Sequence, residues 1–344
     1  MTTPSASWTS YALLTPEQVN SYLTRVSLSS TPEEPSSKYL RALQFATLTN
    51  IPFDTSRMHL KKTIGCDPQH SEKPFTWGGG DGVNIDVQDC YRQIVELRRG
   101  GYCFANNGLF AAVLRSIGFK VAQVPARVYM LRNKEPKEVG YDWGGINNHQ
   151  VLIVSVPGEE GEWLCDVGFG GGGSPYPILL THGIPSESIT DDESFFLLKE
   201  PLPGADKQFL PFEDSGISWT LYRTFEKGFL EKKERYNSPL YHFVNLPCTQ
   251  FDWEIVNYFT SHCSSAYFSH FMSISRLLPS GTRWSLVFDS NRDPEAGEYY
   301  SRHGSSGGFE NVQKVPMTEG AIWEILSRDF GFLPDCDNHE NFDT

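Results

Sequence analysis

Apolar residues follow two rhythms along the chain, and the change between them divides it. Near the start, Val19, Tyr22, Leu23 and Val26 recur at i, i+3, i+4 and i+7, one face of a helix. Thr15-Pro16-Glu17-Gln18 ahead of them reads as a capping box with proline at the first helical position. Tyr39, Leu40 and Leu43 predict a second helix. Val87, Cys90, Tyr91, Ile94 and Val95 predict a third, which stops at Gly100-Gly101. A fourth follows at once, with Phe104, Leu109, Phe110, Val113, Leu114 and Ile117 apolar and Gly118 as its C′ residue. From Phe119 the period shortens. Residues 119–124, 127–131, 149–156 and 162–167 read as strands parted by Pro, Gly and charged turns, with further runs at 219–225, 268–278 and 284–288. The polar stretch 67–86 reads as loop, and Thr318-Glu319 opens a last helix carrying Ile322, Ile325, Leu326 and Phe330. Helices first, strands second and a mixed tail specify an α+β fold, not alternating βαβ.

Charge narrows the partners. Among 344 residues, 29 Lys+Arg stand against 42 Asp+Glu, a formal net charge of −13. That balance argues against a nucleic-acid or anionic-membrane binder, whose affinity rests on clustered cations. No apolar run approaches the ~18 residues that span a bilayer, and Met1–Ser5 shows no secretory leader. Seven cysteines, at 66, 90, 103, 165, 248, 263 and 336, include no C-x-x-C pair. They are expected to be reduced thiols in a soluble, cytoplasmic protein, six of them filling core. No metal is expected, since His262-Cys263 with Cys248 and His270 match none of the usual zinc spacings.

Two motif matches are set aside. Gly168–Gly173 satisfies G-x-G-x-x-G after a strand, but Ser174-Pro175-Tyr176-Pro177 forbids the helix that a dinucleotide fingerprint needs. Gly304-Ser305-Ser306-Gly307-Gly308 matches G-x-S-x-G in polar surroundings, with no apolar helix after it, and reads as a loop.

Cys103 is the exception among the cysteines. It follows Arg98-Arg99-Gly100-Gly101-Tyr102 at the first turn of the fourth helix. Unpaired N–H groups and the positive end of the helix dipole there favour a thiolate. The two arginines are expected to act the same way, and the glycines to leave room for substrate. A nucleophile needs a base and an orienter. His149 opens a buried strand and Asp166 closes the next one. A hairpin around 157–161 brings both to the same open end, where an acid flanked by apolar residues calls for an imidazole partner. The candidate constellation is therefore Cys103, His149 and Asp166.

Those residues sit in segments that resemble the arylamine N-acetyltransferase family. Arg99-Gly100-Gly101-Tyr102-Cys103-Phe104, Asn147-Asn148-His149-Gln150-Val151-Leu152 and Asp166-Val167-Gly168-Phe169-Gly170-Gly171 resemble its nucleophile, histidine and aspartate motifs. Ile51-Pro52-Phe53-Asp54, the stretch 251–257 and the tail 326–331 also match family-like segments, in the family's order. Ala105 departs from the Glu or Gln usual two places after the cysteine, while Asn107 keeps the Asn that follows. The loops at 67–86 and 132–148 look longer than in compact bacterial members and more like those of fungal relatives.

The resemblance implies a helical bundle with the nucleophile (1–117), a β-barrel with the histidine and aspartate (118–225) and an α/β lid (226–344), around a papain-like cysteine-enzyme core. It implies ping-pong acyl transfer from acyl-CoA to an aromatic amine or hydrazine, in xenobiotic detoxification, with no permanently bound cofactor. Phe53 and Phe169 would line the amine pocket, and Gly144, Gly145 and Ile146 would lie by the coenzyme. Some fungal relatives prefer malonyl-CoA, which would require a cation near the acyl carboxylate; Arg127 is a candidate, against the reading of it as a solvated or structural arginine. Other classes stay open: a papain- or transglutaminase-like amide hydrolase, or a binding protein with an idle triad. The sequence leaves the oligomeric state open, with a monomer compatible.

Overall fold

The computed structural model describes residues 11–66, 72–131, 133–145, 148–205, 218–227, 234–246, 248–304 and 307–336. The helical first third forms as its pattern predicts. Helix α1 (Pro16–Arg25) carries the capping box, with Gln18 N–H donating to Thr15 Oγ1 and the Gln18 side chain answering the Thr15 N–H. Helix α2 (Ser37–Asn50) follows, and then β1 (Phe53–Asp54), a two-residue strand with no signal in the periodicity. Helix α3 (Val87–Tyr91) passes into a wider π turn over Arg92–Glu96. Helix α4 (Cys103–Ile117) starts on the candidate nucleophile and ends on Gly118, whose φ of 112° favours glycine. Its apolar residues point in all directions because it runs through the middle of the first core.

The strand region opens with β2 (Lys120–Val128), one continuous strand where the sequence predicts two, with Pro125 placed just before the second neighbour pairs on. A single helical turn, α5 (Pro136–Val139), lies in the loop before β3 (His149–Ser155). Next come β4 (Glu162–Cys165), β5 (Ile178–Leu179), β6 (Ser186–Glu187), β7 (Glu193–Lys199), β8 (Ser218–Lys227) and β9 (Glu234–Val244). These strands form one antiparallel sheet in the order β5-β4-β3-β2-β9-β8-β7-β6. A bridge from His182 to Leu197 draws its two ends together into a nearly closed barrel. Because β8 and β9 belong to this sheet, its strands run on to Val244, and the boundary expected at 225 would cut through β8. Alternation along β3 explains its unbroken apolar run. Leu152 and Val154 face the helices, while Val151 and Ile153 fill the barrel.

Helix α6 (Gln250–His262) connects to the second sheet. There β10 (Phe271–Leu277), β11 (Thr282–Asp289), β12 (Ala296–His303) and β13 (Phe309–Pro316) form a meander, with β1 added at its edge against β10. Helix α7 (Glu319–Asp329) covers it through Ile322, Ile325 and Leu326. A segment from the first third thus supplies a strand to the last. The cysteine expectations are overturned in two places: Cys263 is only half-buried, not in a core, and two others are not thiols. Cys66 and Cys336, read above as reduced core thiols, are joined by a disulfide with Cα atoms 5.5 Å apart. A separation of 270 residues leaves no local signature of such a pair. Among the described residues no helix is long and apolar enough to cross a membrane.

A buried ion cluster ties the sheets together. Glu193 of β7 accepts from Arg223 Nε of β8 at 2.8 Å and from Ser188 Oγ at 2.6 Å, and Arg283 of β11 lies 3.9 Å away. Burial pushes the Glu193 carboxyl up, but Arg223 and Arg283 outweigh it and hold it below the usual range. Its contribution to stability is therefore present above the ordinary carboxyl pKa and is lost as pH falls through the depressed value. Glu193→Gln, which leaves two buried guanidiniums without this countercharge, should lower the free energy of unfolding by about 3–5 kcal/mol in urea titrations near neutral pH. The loss should shrink once pH falls below the ordinary carboxyl range and through the depressed value, where the wild-type carboxylate is itself protonated. A variant as stable as wild type at pH 7 would show that the cluster carries no such load.

Candidate active site

Cys103 is the first residue of α4 and is buried. Its position is set by the turn before it, and the structure corrects two expectations about that turn. The glycines do not make room for substrate: a Cβ on Gly100 would stand 2.3 Å from Pro52 O, and one on Gly101 2.8 Å from Ala105 Cβ. They let the turn press against β1, where Asp54 N–H donates to Gly101 O at 3.0 Å. Nor do the arginines charge the thiol. Arg98 is exposed, and Arg99 turns away to donate to Leu333 O at 3.1 Å and Lys62 O at 2.6 Å.

The cation beside the thiol is His149. It opens β3 opposite Ala126, and Asp166 follows β4 directly. The register pairing Leu152 with Cys165 brings both to one end of the hairpin, as the sequence predicts. His149 Nε2 meets Asp166 Oδ2 at 2.7 Å, which leaves Nδ1 for the Cys103 sulfur. Burial alone would depress the imidazole. The Asp166 charge and hydrogen bond, with the contact to Cys103, outweigh it and raise the pKa to about 10. An imidazolium there stabilises a neighbouring thiolate.

Residues around the triad hold it. Asn107, one turn along α4 from Cys103, donates from Nδ2 to Asp166 Oδ1 at 2.9 Å and to Gln150 O at 2.6 Å, and accepts from Val167 N–H at 2.8 Å. Gly168 N–H donates to Asp166 Oδ1 at 2.8 Å. Two contributors leave no local signal in the sequence. Tyr241 of β9 is buried with its hydroxyl on Asp166, its ring centred 5.2 Å from that of His149. Gln44 of α2 accepts the Asp166 N–H at 3.3 Å.

The thiol and imidazole open into a mostly apolar cavity of about 470 Å³. Phe53 and Phe169 both line it, as do Gly144 and Gly145. Val128 lines it too, whereas the next residue back, Arg127, donates to Gly144 O at 3.3 Å. Two sequence-stretch expectations, Ile146 beside the coenzyme and Ser306 as a loop serine, fall outside the described residues. The glycine run after Asp166 is a packed turn, not a helix start: Gly170 has φ +81° and lies against the Phe53 ring. Among the described residues no group of three His, Cys, Asp or Glu lies close enough to hold a metal.

Fold and site together define a class: an α+β protein in which a helix-end thiol, an imidazole and a carboxylate meet at one cavity. A family model described as N-acetyltransferase matches residues 77–316. An arylamine N-acetyltransferase of Escherichia coli K12 is 25% identical over 300 residues, 87% of this chain and 84% of that one. An N-malonyltransferase of Fusarium pseudograminearum is 25% identical over 254 residues, 72% of this chain and 66% of that one. The structure of Mycobacterium marinum arylamine N-acetyltransferase in complex with CoA shares the fold, with a TM-score of 0.63 at 22% identity over 91% of this chain and 92% of that one. The chain belongs to the arylamine N-acetyltransferase family and is a transferase.

Because the His149 pKa lies above its unfolded value, the pair's contribution to stability is complete below about pH 6.5. It is lost as pH rises through about 10. Asp166→Asn removes the charge that opposes burial, so the imidazole should titrate below its ordinary value when followed by NMR. Amine-dependent turnover should fall at least ~10³-fold with the wrong tautomer favoured. An unshifted His149 titration in the variant would exclude this account of the site.

Proposed function

We propose that this chain is an arylamine N-acyltransferase that moves an acyl group from acyl-CoA to the nitrogen of an aromatic amine or hydrazine. The observation that carries the reading is the placement of Cys103 and His149 together on one apolar-lined cavity. Cys103 as thiolate attacks the thioester carbonyl, and the coenzyme A sulfur leaves with a proton from the His149 imidazolium. The acyl group then rests on Cys103. The amine nitrogen attacks the new thioester, passes its proton to His149, and the Cys103 thiolate is released. Asp166 keeps the imidazole in the tautomer both steps need. Aromatic amines suit such a site because they are weak bases, neutral and nucleophilic at cellular pH.

Phe53 and Phe169 offer aromatic faces to the amine ring. Gly144 and Gly145 border the cavity; a Cβ on Gly145 would meet nothing within 4 Å, so the coenzyme has an approach to its backbone, whereas Gly144 packs on Asn148 and donates its N–H to Val128 O. The second sheet with α7 serves as the lid, over a papain-like arrangement of bundle and barrel. A cytoplasmic role in detoxifying foreign amines fits the co-substrate.

The cavity wall supports one reading of the acyl donor. Val128, Phe53, Phe169 and Phe268 surround the thiol with apolar surface, where a second carboxylate would lose its hydration. Arg127, the candidate cation for malonate, does not line the cavity and donates one N–H to the Gly144 carbonyl at 3.3 Å. The preferred donors are therefore neutral acyl groups, acetyl or propionyl. The malonyl-selective reading keeps its footing in the Fusarium relative and is the second reading.

Release of free coenzyme A thiol should depend on added arylamine, and Cys103→Ala should abolish it while leaving the circular dichroism spectrum unchanged. Acetyl-CoA should exceed malonyl-CoA in kcat/KM by at least ~10-fold. Peptide cleavage without amine-dependent thiol release would point to a hydrolase, and a malonyl preference would overturn the donor assignment alone.

A further inference from the structure

The disulfide is the one strong covalent feature that the proposed reaction does not use, and it lies where the nucleophile's turn is held. After α7 the chain runs back across the helical bundle. Phe330 and Phe332 anchor in the small-sheet core, Leu333 N–H donates to Leu97 O at 2.9 Å, and Asp335 takes both Arg92 guanidinium nitrogens at 2.6 and 2.7 Å. Cys336 then closes on Cys66. Arg99 sits between the joined segments. It donates to Lys62 O, on the Cys66 side, and to Leu333 O, on the Cys336 side, with the Trp323 ring 5.8 Å away. Trp323 also packs on Gly65 (φ +87°), where a Cβ would collide with the indole. Arg99 is buried and stands four residues before Cys103, at the start of the glycine turn that presents it.

We propose that Cys66 and Cys336 form a redox-controlled clasp: oxidised, it fixes the strap 333–336 and the loop 62–66 as two jaws on Arg99, and reduced, it lets the strap go. The chemistry requires only a dithiol reductant. One thiolate of the dithiol attacks Sγ of the pair and forms a mixed disulfide, and the displaced sulfur leaves as a thiolate that takes a proton. The second thiol of the reductant then displaces the other cysteine and forms the reductant's own disulfide. Two electrons and two protons pass to the protein. In a reducing compartment such a bond is a sensor, not a staple. Arg99 is a positioning residue in this scheme, acting on the thiol only through the backbone it anchors.

The experiment compares wild type, Cys66→Ser and Cys336→Ser after air oxidation and after treatment with dithiothreitol. Native air-oxidised wild type, alkylated and digested without reductant, should give a cross-linked peptide pair containing Cys66 and Cys336; both cysteines alkylated would overturn the proposal. Hydrogen exchange at Leu333 and Arg99 should speed up at least ~10-fold on reduction, and both variants should exchange at that faster rate in either state. With acetyl-CoA and an arylamine, kcat of wild type should fall ~3-fold or more on reduction with KM for the amine unchanged, and each variant should match reduced wild type. Dithiothreitol also protects Cys103, so the variants under the same oxidation report any effect on that thiol separately. Equal exchange and equal kcat in all forms would show that the bond does not control the turn. If every form lacks acyl transfer while the exchange difference stands, the reaction assignment fails and the clasp survives.

Discussion

The active site depends on one close approach. Gly168, just past the β3–β4 hairpin, lies so near the start of α4 that a Cβ would stand 2.6 Å from Cys103 Cα. The thiol belongs to the helical bundle, while the imidazole and carboxylate belong to the barrel, and this contact brings the two units together beside the thiol. Asn107 fastens it with three hydrogen bonds to Asp166, Gln150 and Val167. All of these groups are buried, so an unmade bond there costs the full desolvation of its partner. The approach is therefore fixed in register: a shift of one residue in the hairpin would turn His149 to the other face of the sheet.

That contact also sets a positive group beside the thiol in a chain of net charge −13. The surrounding charge of the whole molecule works against a local anion. The compensation is short-ranged: the N-terminal end of α4 on one side of the sulfur and the imidazole on the other. The imidazole is kept charged by a carboxylate whose remaining lone pairs are occupied by Asn107, Gly168 and Tyr241. Each donor to Asp166 reduces the cost of burying its charge, and through it the cost of burying the imidazolium.

The parts legible in the sequence are those governed by local period and by residue type. The α1 cap, the α4 start and stop, the hairpin and the meeting of His149 with Asp166 all follow from short windows. What escaped are pairings between distant segments. Phe53–Asp54 is too short for any period, and it is a strand only because Ile274 and Ser275 of β10 lie beside it. Tyr241 reaches the triad through the β2–β9 pairing, which places Val128 opposite it. Cys66 finds Cys336 because the last helix folds back over the small sheet. The misreading of Arg98, Arg99 and the two glycines has the same root. Proximity in sequence to Cys103 suggested electrostatics and access, whereas the fold uses these residues to fasten the turn to β1 and to the C-terminal strap.

The edge strand β1 ties the small sheet, the turn before Cys103 and the cavity together. Through its pairing with β10 it belongs to the small sheet, through the Gly101 bridge it braces the nucleophile's turn, and its Phe53 side chain walls the cavity. Under the ping-pong transfer proposed above, one cavity would have to admit the coenzyme thioester, keep an acyl-cysteine dry, and then admit an aromatic ring. A wall that is part of both the turn and the small sheet would couple those demands, since Phe53 cannot shift without loading the Gly100–Gly101 turn. The Gly170 backbone is seated on the same ring, 3.1 Å from it at the Cβ position. Under the proposed function, selectivity for the amine would rest on the same backbone contacts that place the thiol.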